Sequence, residues 1–245
     1  MILKSVFRWN SPVLWSMVLV VLPAGSGCAY RLVPGPLKPL SETEHGENVS
    51  VADDGTVTHH IARFRVSLRP MTDEEMNRQF SQYSAARENS LNPYTYGDWI
   101  PEGETRTPAR YTIFFLKVEN YSYPKVLVSP LNMTLSSGNG RTYPSRSVSY
   151  LKEYYYPFNI AYAGISSSHF SERVGLLKRT MYPESQMVFS GQEAEGFVVF
   201  AKLHDDVHNV SVALKDIVLR FDFRDEPTET RDLVFHFARE VAREQ

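Results

Sequence analysis

Short apolar segments with a period of two residues recur along this chain of 245 residues, and turn residues separate them. The stretch IVLRFDF, at positions 217–223, shows the pattern most clearly because its apolar and polar positions mostly alternate. The alternation predicts an inward row and an outward row. These rows are Ile217, Leu219, Phe221 and Phe223 inside, and Val218, Arg220 and Asp222 outside. Many such segments at regular spacing indicate a mainly β fold, an antiparallel β-sandwich.

The predicted strands begin with the segment IARFRVSL at 61–68. This strand is expected to end at Pro70, because proline cannot donate a hydrogen bond to a ladder. Gly138 and Gly140 predict a hairpin further along the chain. The other predicted strands lie at 110–119, 125–129, 131–136, 141–143, 186–189, 196–203, 210–214, 217–223 and 233–238.

Two regions depart from the strand pattern and are predicted to be helical. Thr72 begins the capping box T-D-E-E, and apolar residues follow at helical spacing, so a short helix is predicted at 73–86. The segment 148–183 has no strand alternation, and apolar residues recur at helical spacing in its second half. We expect this insertion to form one or two short helices that cap an end of the sandwich.

Three motifs between residues 110 and 223 resemble those of a known kind of domain. They are Glu119-Asn120 at a strand end, Gly140-Arg141-Thr142-Tyr143 in a hairpin, and SGQEAEGFVVF at 190–200. In this order they resemble the immunoglobulin-like domains of small bacterial lipoproteins of unknown function. The resemblance implies an immunoglobulin-like sandwich, interrupted by the insertion at 148–183, and it implies no particular activity.

The first 28 residues have the organisation of an export signal. Lys4 and Arg8 precede an apolar run at 12–22, and small residues then lead to Cys28, the single cysteine of the chain. This order predicts a signal peptide at 1–27, because the apolar run is shorter than the roughly 20 residues that span a bilayer. The alternatives are an ordinary secretory peptide and an uncleaved N-terminal anchor.

The residues Gly25-Ser26-Gly27-Cys28 resemble the lipobox of bacterial lipoproteins, although that family usually has an aliphatic residue in place of Gly25. The resemblance implies that a diacylglyceryl group, with palmitate among its acyl chains, is attached to Cys28 and anchors the protein in the membrane. Because Ala29 follows Cys28 in place of aspartate, it also implies sorting to the outer membrane of a diderm bacterium, on the periplasmic side or at the surface.

Residues 28–56 are predicted to be a flexible tether, because prolines and polar residues fill them without apolar periodicity. The sandwich domain then occupies 57–245. Removing residues 1–27 changes the formal charge from −2 to −4, since Lys4 and Arg8 are lost without any acid. A mildly acidic chain without a basic run is not expected to bind nucleic acid. A single cysteine allows no disulfide within the chain, so apolar packing must hold the fold together.

The aromatic run Tyr154, Tyr155, Tyr156 and Phe158 is the candidate contact site for an envelope protein partner. Three consecutive tyrosines cannot all face one core, because successive side chains point 100° apart on a helix and 180° apart on a strand. At least one ring should therefore be exposed, and tyrosine is favoured in protein interfaces. The competing interpretation is that the insertion folds back and buries most of these rings.

His204 and His208 are weak candidates for a metal site, with Asp205 or Asp206 as a further ligand. Two histidines four residues apart share one face of a helix, but these lie between two predicted strands, so a loop is expected. The spacing supplies no third ligand from elsewhere in the chain. No metal or other cofactor is therefore expected.

The sequence contains no recognisable catalytic motif. It has neither a G-x-S-x-G elbow nor a P-loop, and the acids at 73–75 are explained as charges favoured at a helix N-terminus. We expect a lipid-anchored binding or scaffold protein of the cell envelope without catalytic activity. The alternatives are an envelope hydrolase with carboxylates from distant positions, and a metal-handling protein that uses His204 and His208.

Overall fold

The computed structural model describes residues 30–85, 90–161 and 166–244, without the side chains of 158–161, 166 and 167. Cys28 and the predicted signal peptide therefore lie outside the described residues. The fold is mainly β, and its antiparallel strands form two large sheets that pack as a sandwich. The predicted fold class, including the short helix and the helical insertion, is confirmed. None of the described helices is long and apolar enough to cross a bilayer.

The elements follow one another along the chain with strands in the majority. They are β1 (Arg31–Pro34), β2 (Lys38–Pro39), α1 (Glu42–His45), β3 (Val49–Val51), β4 (Val57–Ile61), β5 (Phe64–Met71), α2 (Asp73–Gln79), α3 (Ser81–Ser84), β6 (Tyr111–Asn120), β7 (Lys125–Val128), β8 (Met133–Ser137), β9 (Thr142–Arg146), α4 (Val148–Ala161), α5 (Ser166–Thr180), β10 (Gln186–Phe189), β11 (Gln192–Ala201), β12 (Asn209–Phe221), β13 (Pro227–Ala238) and β14 (Val241–Glu244).

The first sheet has the strand order β3–β4–β5–β6–β11–β9, and all of its neighbours are antiparallel. In the second sheet β12 is central, with β13 and then β2 on one side and β8 and β7 on the other. Strand β10 pairs with β7 at the edge of this sheet. Strand β9 pairs with both β8 and β11, so it joins the two sheets.

The main core lies between the two sheets and is filled by the inward rows of their strands. Phe114 on β6 shows how the sheets meet, because its ring centre lies 5.8 Å from that of Phe200 on β11 and 5.1 Å from that of Phe237 on β13. All three side chains are fully buried. Burial of such apolar area is the main favourable term in folding, and this chain has no intrachain disulfide to add to it.

A second apolar cluster lies on the outer face of the first sheet, under helices α4 and α5. On β11, Val198 and Phe200 face the main core, whereas Phe197 and Val199 face this second cluster. Leu151 of α4 and Leu177 of α5 pack in the same cluster and are fully buried. The insertion therefore covers a face of the sandwich. The sequence pattern had suggested that it would cap an end, and this prediction was wrong.

The predicted helix at 73–86 is divided into α2 and α3, which meet at Phe80. Its start is as predicted. The Thr72 hydroxyl accepts a hydrogen bond from the Glu75 amide at 3.2 Å, and the Thr72 amide donates to the Glu75 carboxylate at 2.9 Å. The capping box thus satisfies amide groups that have no partner inside the helix.

The segment predicted as one strand at 61–68 contains a hairpin turn. Strand β4 ends at Ile61, Ala62 adopts a φ of 54°, and β5 begins at Phe64. Strand β5 also continues through Pro70, where the sequence predicted its end. The pairing with β4 stops at Leu68, so Pro70 needs no amide donor on that side.

The segment 28–56, predicted to be a flexible tether, is structured over much of its described part. Strand β1 pairs with β14, β2 pairs with β13, and β3 pairs with β4. These are short edge pairings, and their partners are distant in sequence or weakly apolar. Strands β1 and β2 pair with strands distant in sequence, and β3 has only three residues, so no extended apolar periodicity predicted them.

The strand predicted at 217–223 ends earlier than the alternation suggested. Ile217 and Leu219 are buried as predicted, but Phe221 is only half-buried and Phe223 is 88% exposed. Two register shifts between Val218 and Phe221 disturb the alternation, and a turn then begins in which the Asp222 amide donates to the Glu226 carbonyl. Phe223 lies in that turn, so it never reaches the core.

Candidate functional site

The aromatic run at 154–156 lies on helix α4, and the structure separates its three tyrosines. Tyr155 points towards the sheet and is 2% exposed, whereas Tyr154 is 37% exposed and Tyr156 is 53% exposed. Tyr154 and Tyr156 lie 200° apart on the helix and therefore occupy opposite flanks of the buried stripe. Phe158 belongs to the same helix, but its side chain is outside the described residues.

The flank of Tyr154 continues into the loop between α3 and β6. The Tyr154 ring centre lies 5.9 Å from that of Tyr111, and Tyr154 interacts with Tyr96 of the loop. Tyr150, one helical turn before Tyr154, is 43% exposed, and its ring lies under the guanidinium of Arg146 at 4.2 Å. We call Tyr96, Tyr150 and Tyr154 the tyrosine surface.

The opposite flank faces helix α5. The Tyr156 ring centre lies 6.1 Å from that of Phe170 on α5. Tyr156 therefore contributes to the contact between the two helices as well as to the outer surface. The two flanks are separate surfaces, so a partner that contacts one of them need not contact the other.

Tyr155 is the buried centre of a polar group beneath the tyrosine surface. Its hydroxyl donates to the Pro93 carbonyl at 2.6 Å and accepts from Arg110 at 3.0 Å. The guanidinium of Arg173, on α5, lies 5.3 Å from the centre of the Tyr155 ring. Burial raises the pKa of Tyr155, which favours the neutral hydroxyl.

A cavity of about 300 Å³ lies at the start of α2, between this helix, the N-terminal segment and the end of β11. Asp73 and Glu74 supply its carboxylates, and Lys202 and Arg239 supply its positive charges. Burial raises the pKa of Asp73 to about 6, although the charge of Arg110 acts in the opposite direction. Near neutral pH the Asp73 carboxyl can therefore gain or lose a proton, a property common at functional sites.

The loop that carries His204 and His208 connects β11 to β12, as the sequence predicted, and both side chains are exposed. Asp206 is bound by Arg141 at 2.7 Å, and Asp205 lies 3.1 Å from Lys202. The acids that were considered as further ligands are thus engaged in ion pairs. The described ranges contain no group of three histidine, cysteine or acidic side chains with the geometry to hold a metal ion.

Three histidines from distant parts of the chain lie near one another beside β13. The ring centres of His45 and His236 are 5.5 Å apart, and His59 Nε2 donates a hydrogen bond to the Val234 carbonyl at 2.9 Å. Burial lowers the pKa of both His45 and His59, which favours their neutral forms. The three lie far apart in sequence, on α1, β4 and β13, so no motif could have revealed them.

The arginines around Tyr155 were also missed, and no sequence signal links them. Arg110 begins the segment that enters β6, and Arg173 lies 63 positions later on α5. Each is an isolated basic residue between polar or apolar neighbours. Only the packing of α4 and α5 on the first sheet brings them to the same tyrosine.

No family model matches the chain, and no curated protein sequence matches it. Among solved structures, the chain is similar to the yjhA protein from Bacillus subtilis, with 9% sequence identity and a TM-score of 0.31. The alignment covers 64% of this chain and 76% of that protein. A likeness at this level carries no argument about fold or function.

Proposed function

We propose that this protein is a non-catalytic binding module of the bacterial cell envelope, anchored in the membrane by lipid on Cys28. Its tyrosine surface contacts a protein partner. The observation that supports this proposal is the exposure of Tyr150 and Tyr154 on a helix that packs on the outer face of the first sheet. Exposed tyrosines supply a large contact area and a polar group, and they lose little conformational entropy on binding.

The tyrosine surface is better suited to binding than the opposite flank, because it joins two elements. Tyr96 comes from the loop and Tyr150 from the helix, and the ring of Trp99 lies 5.5 Å from that of Tyr96. Ile100, next to Trp99, is 52% exposed. Aromatic side chains clustered on neighbouring elements are typical of the central part of protein interfaces.

The alternative function, an envelope hydrolase, has the cavity beside Asp73 as its specific observation. A glycosidase needs two carboxylates that face each other across the scissile bond, roughly 5 to 10 Å apart. In this cavity the second carboxylate belongs to Glu74, which is the next residue in the chain and is exposed. The described residues therefore support binding better than hydrolysis.

The contact proposal predicts different results for the two flanks of α4. We expect Tyr150→Ala to reduce capture of the partner at least tenfold in a crosslinking pull-down from native membranes, while the melting temperature stays unchanged. Tyr156→Ala and Phe189→Ala also remove exposed rings, but from other surfaces, so capture should persist. The contact proposal fails if capture falls only in variants whose melting temperature falls in proportion.

The anchor is tested separately at Cys28. We expect Cys28→Ala to release the protein from membranes or to trap its precursor, because each buried methylene of an acyl chain contributes about 0.8 kcal/mol to membrane binding. Metabolic labelling with a palmitate analogue and fractionation of membranes measure this. Ser26→Ala, which keeps a small residue before the cysteine, is the matched control and should be processed normally. Unchanged processing and partition of Cys28→Ala would refute lipid attachment.

A further inference from the structure

Two arginines contact the ring of Tyr155, and neither forms an ion pair with any described residue. The guanidinium of Arg110 lies 5.6 Å from the centre of this ring and 4.0 Å from the centre of the Tyr96 ring. The guanidinium of Arg173 lies 5.3 Å from the Tyr155 ring centre. Both side chains are largely buried. Two positive charges thus lie within 5.6 Å of one ring centre and are partly out of water, and burial together with the charge of Arg110 lowers the pKa of Arg173.

The Nε donors of both arginines have no acceptor within the part of the chain that the structure describes. Arg110 donates through Nη1 to the Tyr155 hydroxyl at 3.0 Å and to the Asn92 carbonyl at 3.4 Å. Arg173 donates through Nη2 to the Ser90 carbonyl at 2.6 Å. The Nε atoms of both arginines are buried and have no partner. A guanidinium carries five N–H donors, so both groups have donors left for a ligand.

Two arginines of strand β5, in the first sheet, are each paired with an acid. Arg69 lies 2.7 Å from Glu75, and Arg65 lies 2.9 Å from Glu119. Burying a charge without a counter-charge is unfavourable, and placing a second like charge nearby adds to this cost. Neither Arg110 nor Arg173 has a described carboxylate within ion-pair distance, although the charge of Arg110 does act on the carboxyl of Asp73.

We propose that Arg110 and Arg173 form a binding site for an oxyanion, the carboxylate or phosphate group of a ligand. Guanidinium groups are planar and present paired donors that match the oxygen spacing of carboxylates and phosphates. The aromatic rings of Tyr96 and Tyr155 hold the two guanidinium groups in place by cation–π contacts. The site shares Tyr96 with the tyrosine surface, but the proposal of anion binding does not depend on whether that surface binds a protein.

The test titrates the folded protein, from Cys28 onwards, with inorganic phosphate and with succinate at constant ionic strength in sodium chloride. Trp99 is the single tryptophan after residue 27, and its ring is 5.5 Å from Tyr96, so its fluorescence reports on the site. We expect a saturable change with at least one of the two anions. Saturation by phosphate alone identifies a phosphate-bearing ligand, by succinate alone a carboxylate, and by both a general oxyanion site.

The variants Arg110→Gln and Arg173→Gln should each weaken this binding at least tenfold. Arg146→Gln is the matched control, because Arg146 also stacks on a tyrosine ring, 4.2 Å from Tyr150, but has no second arginine at that ring. Its affinity for phosphate and succinate should equal that of the unchanged protein. Binding that survives in both Gln variants would overturn the proposal.

A second measurement decides the case in which a Gln variant does not fold. In the unchanged protein, the arginine Nε–H signals in nuclear magnetic resonance spectra should shift with the same saturation curve as the fluorescence of Trp99. The shifted signals should number two and belong to Arg110 and Arg173. If neither anion produces a saturable change in these signals, the oxyanion site does not exist.

Discussion

Replacing Phe114 with alanine is expected to lower the free energy of unfolding by about 3–5 kcal/mol. Phe114 is fully buried and its ring lies between those of Phe200, in the same sheet, and Phe237, in the opposite sheet. The substitution removes apolar contacts across the main core and leaves a cavity that both sheets border. Because single domains are typically stable by only about 5–15 kcal/mol, this is a large share of the total.

Urea unfolding at neutral pH, followed by fluorescence, measures the effect. Phe223→Ala is the matched control, since it removes the same ring from a position that is 88% exposed. We expect it to change the free energy of unfolding by less than about 0.5 kcal/mol. Similar losses in the two variants would mean that Phe114 does not lie in the core that joins the sheets.

The second large effect is expected at Gly196, in strand β11. A Cβ atom placed there would lie 2.4 Å from the backbone nitrogen of Tyr182 and 2.7 Å from the carbonyl carbon of Met181. These backbone atoms follow α5 and are held against β11 by the hydrogen bond from the Tyr182 amide to the Phe197 carbonyl, at 2.9 Å. Gly196→Ala should therefore separate the end of α5 from the sheet and cost about 3 kcal/mol, at the upper end of the range for overpacking.

Gly138→Ala provides the comparison for this substitution. A Cβ at Gly138 would meet only atoms of Asn209, at 3.7 Å, which is an ordinary contact distance. We expect a melting temperature close to that of the unchanged protein. If Gly196→Ala melts at the same temperature as Gly138→Ala, the close approach of residues 181–182 to β11 is not a feature of the folded protein in solution.

The sequence determined those elements whose signals are local. Strand β10 occupies Gln186–Phe189, the same bounds that alternation predicted, and β6 differs from its prediction by one residue at each end. The capping box at Thr72 and the hairpin at Gly138–Gly140 also lie where they were predicted. Each of these depends on side chains and backbone groups within a few residues, so a single sequence is sufficient to predict it.

The tertiary structure decided which side chains of a correctly predicted element are available for function. The tyrosine run was predicted to expose at least one ring, but only the packing of α4 on the first sheet shows that Tyr155 is buried and that Tyr154 and Tyr156 lie on opposite flanks. Likewise, two register shifts and a turn, which no alternation pattern encodes, move Phe223 into solvent.

The arginine pair depended on tertiary structure alone. Arg110, which directly precedes β6, and Arg173, on α5, are far apart in the chain but contact the same tyrosine. The same holds for β1, which pairs with β14, more than 200 residues further along the chain. Contacts between distant segments depend on the packing free energy of the whole chain. A local sequence pattern therefore does not predict them.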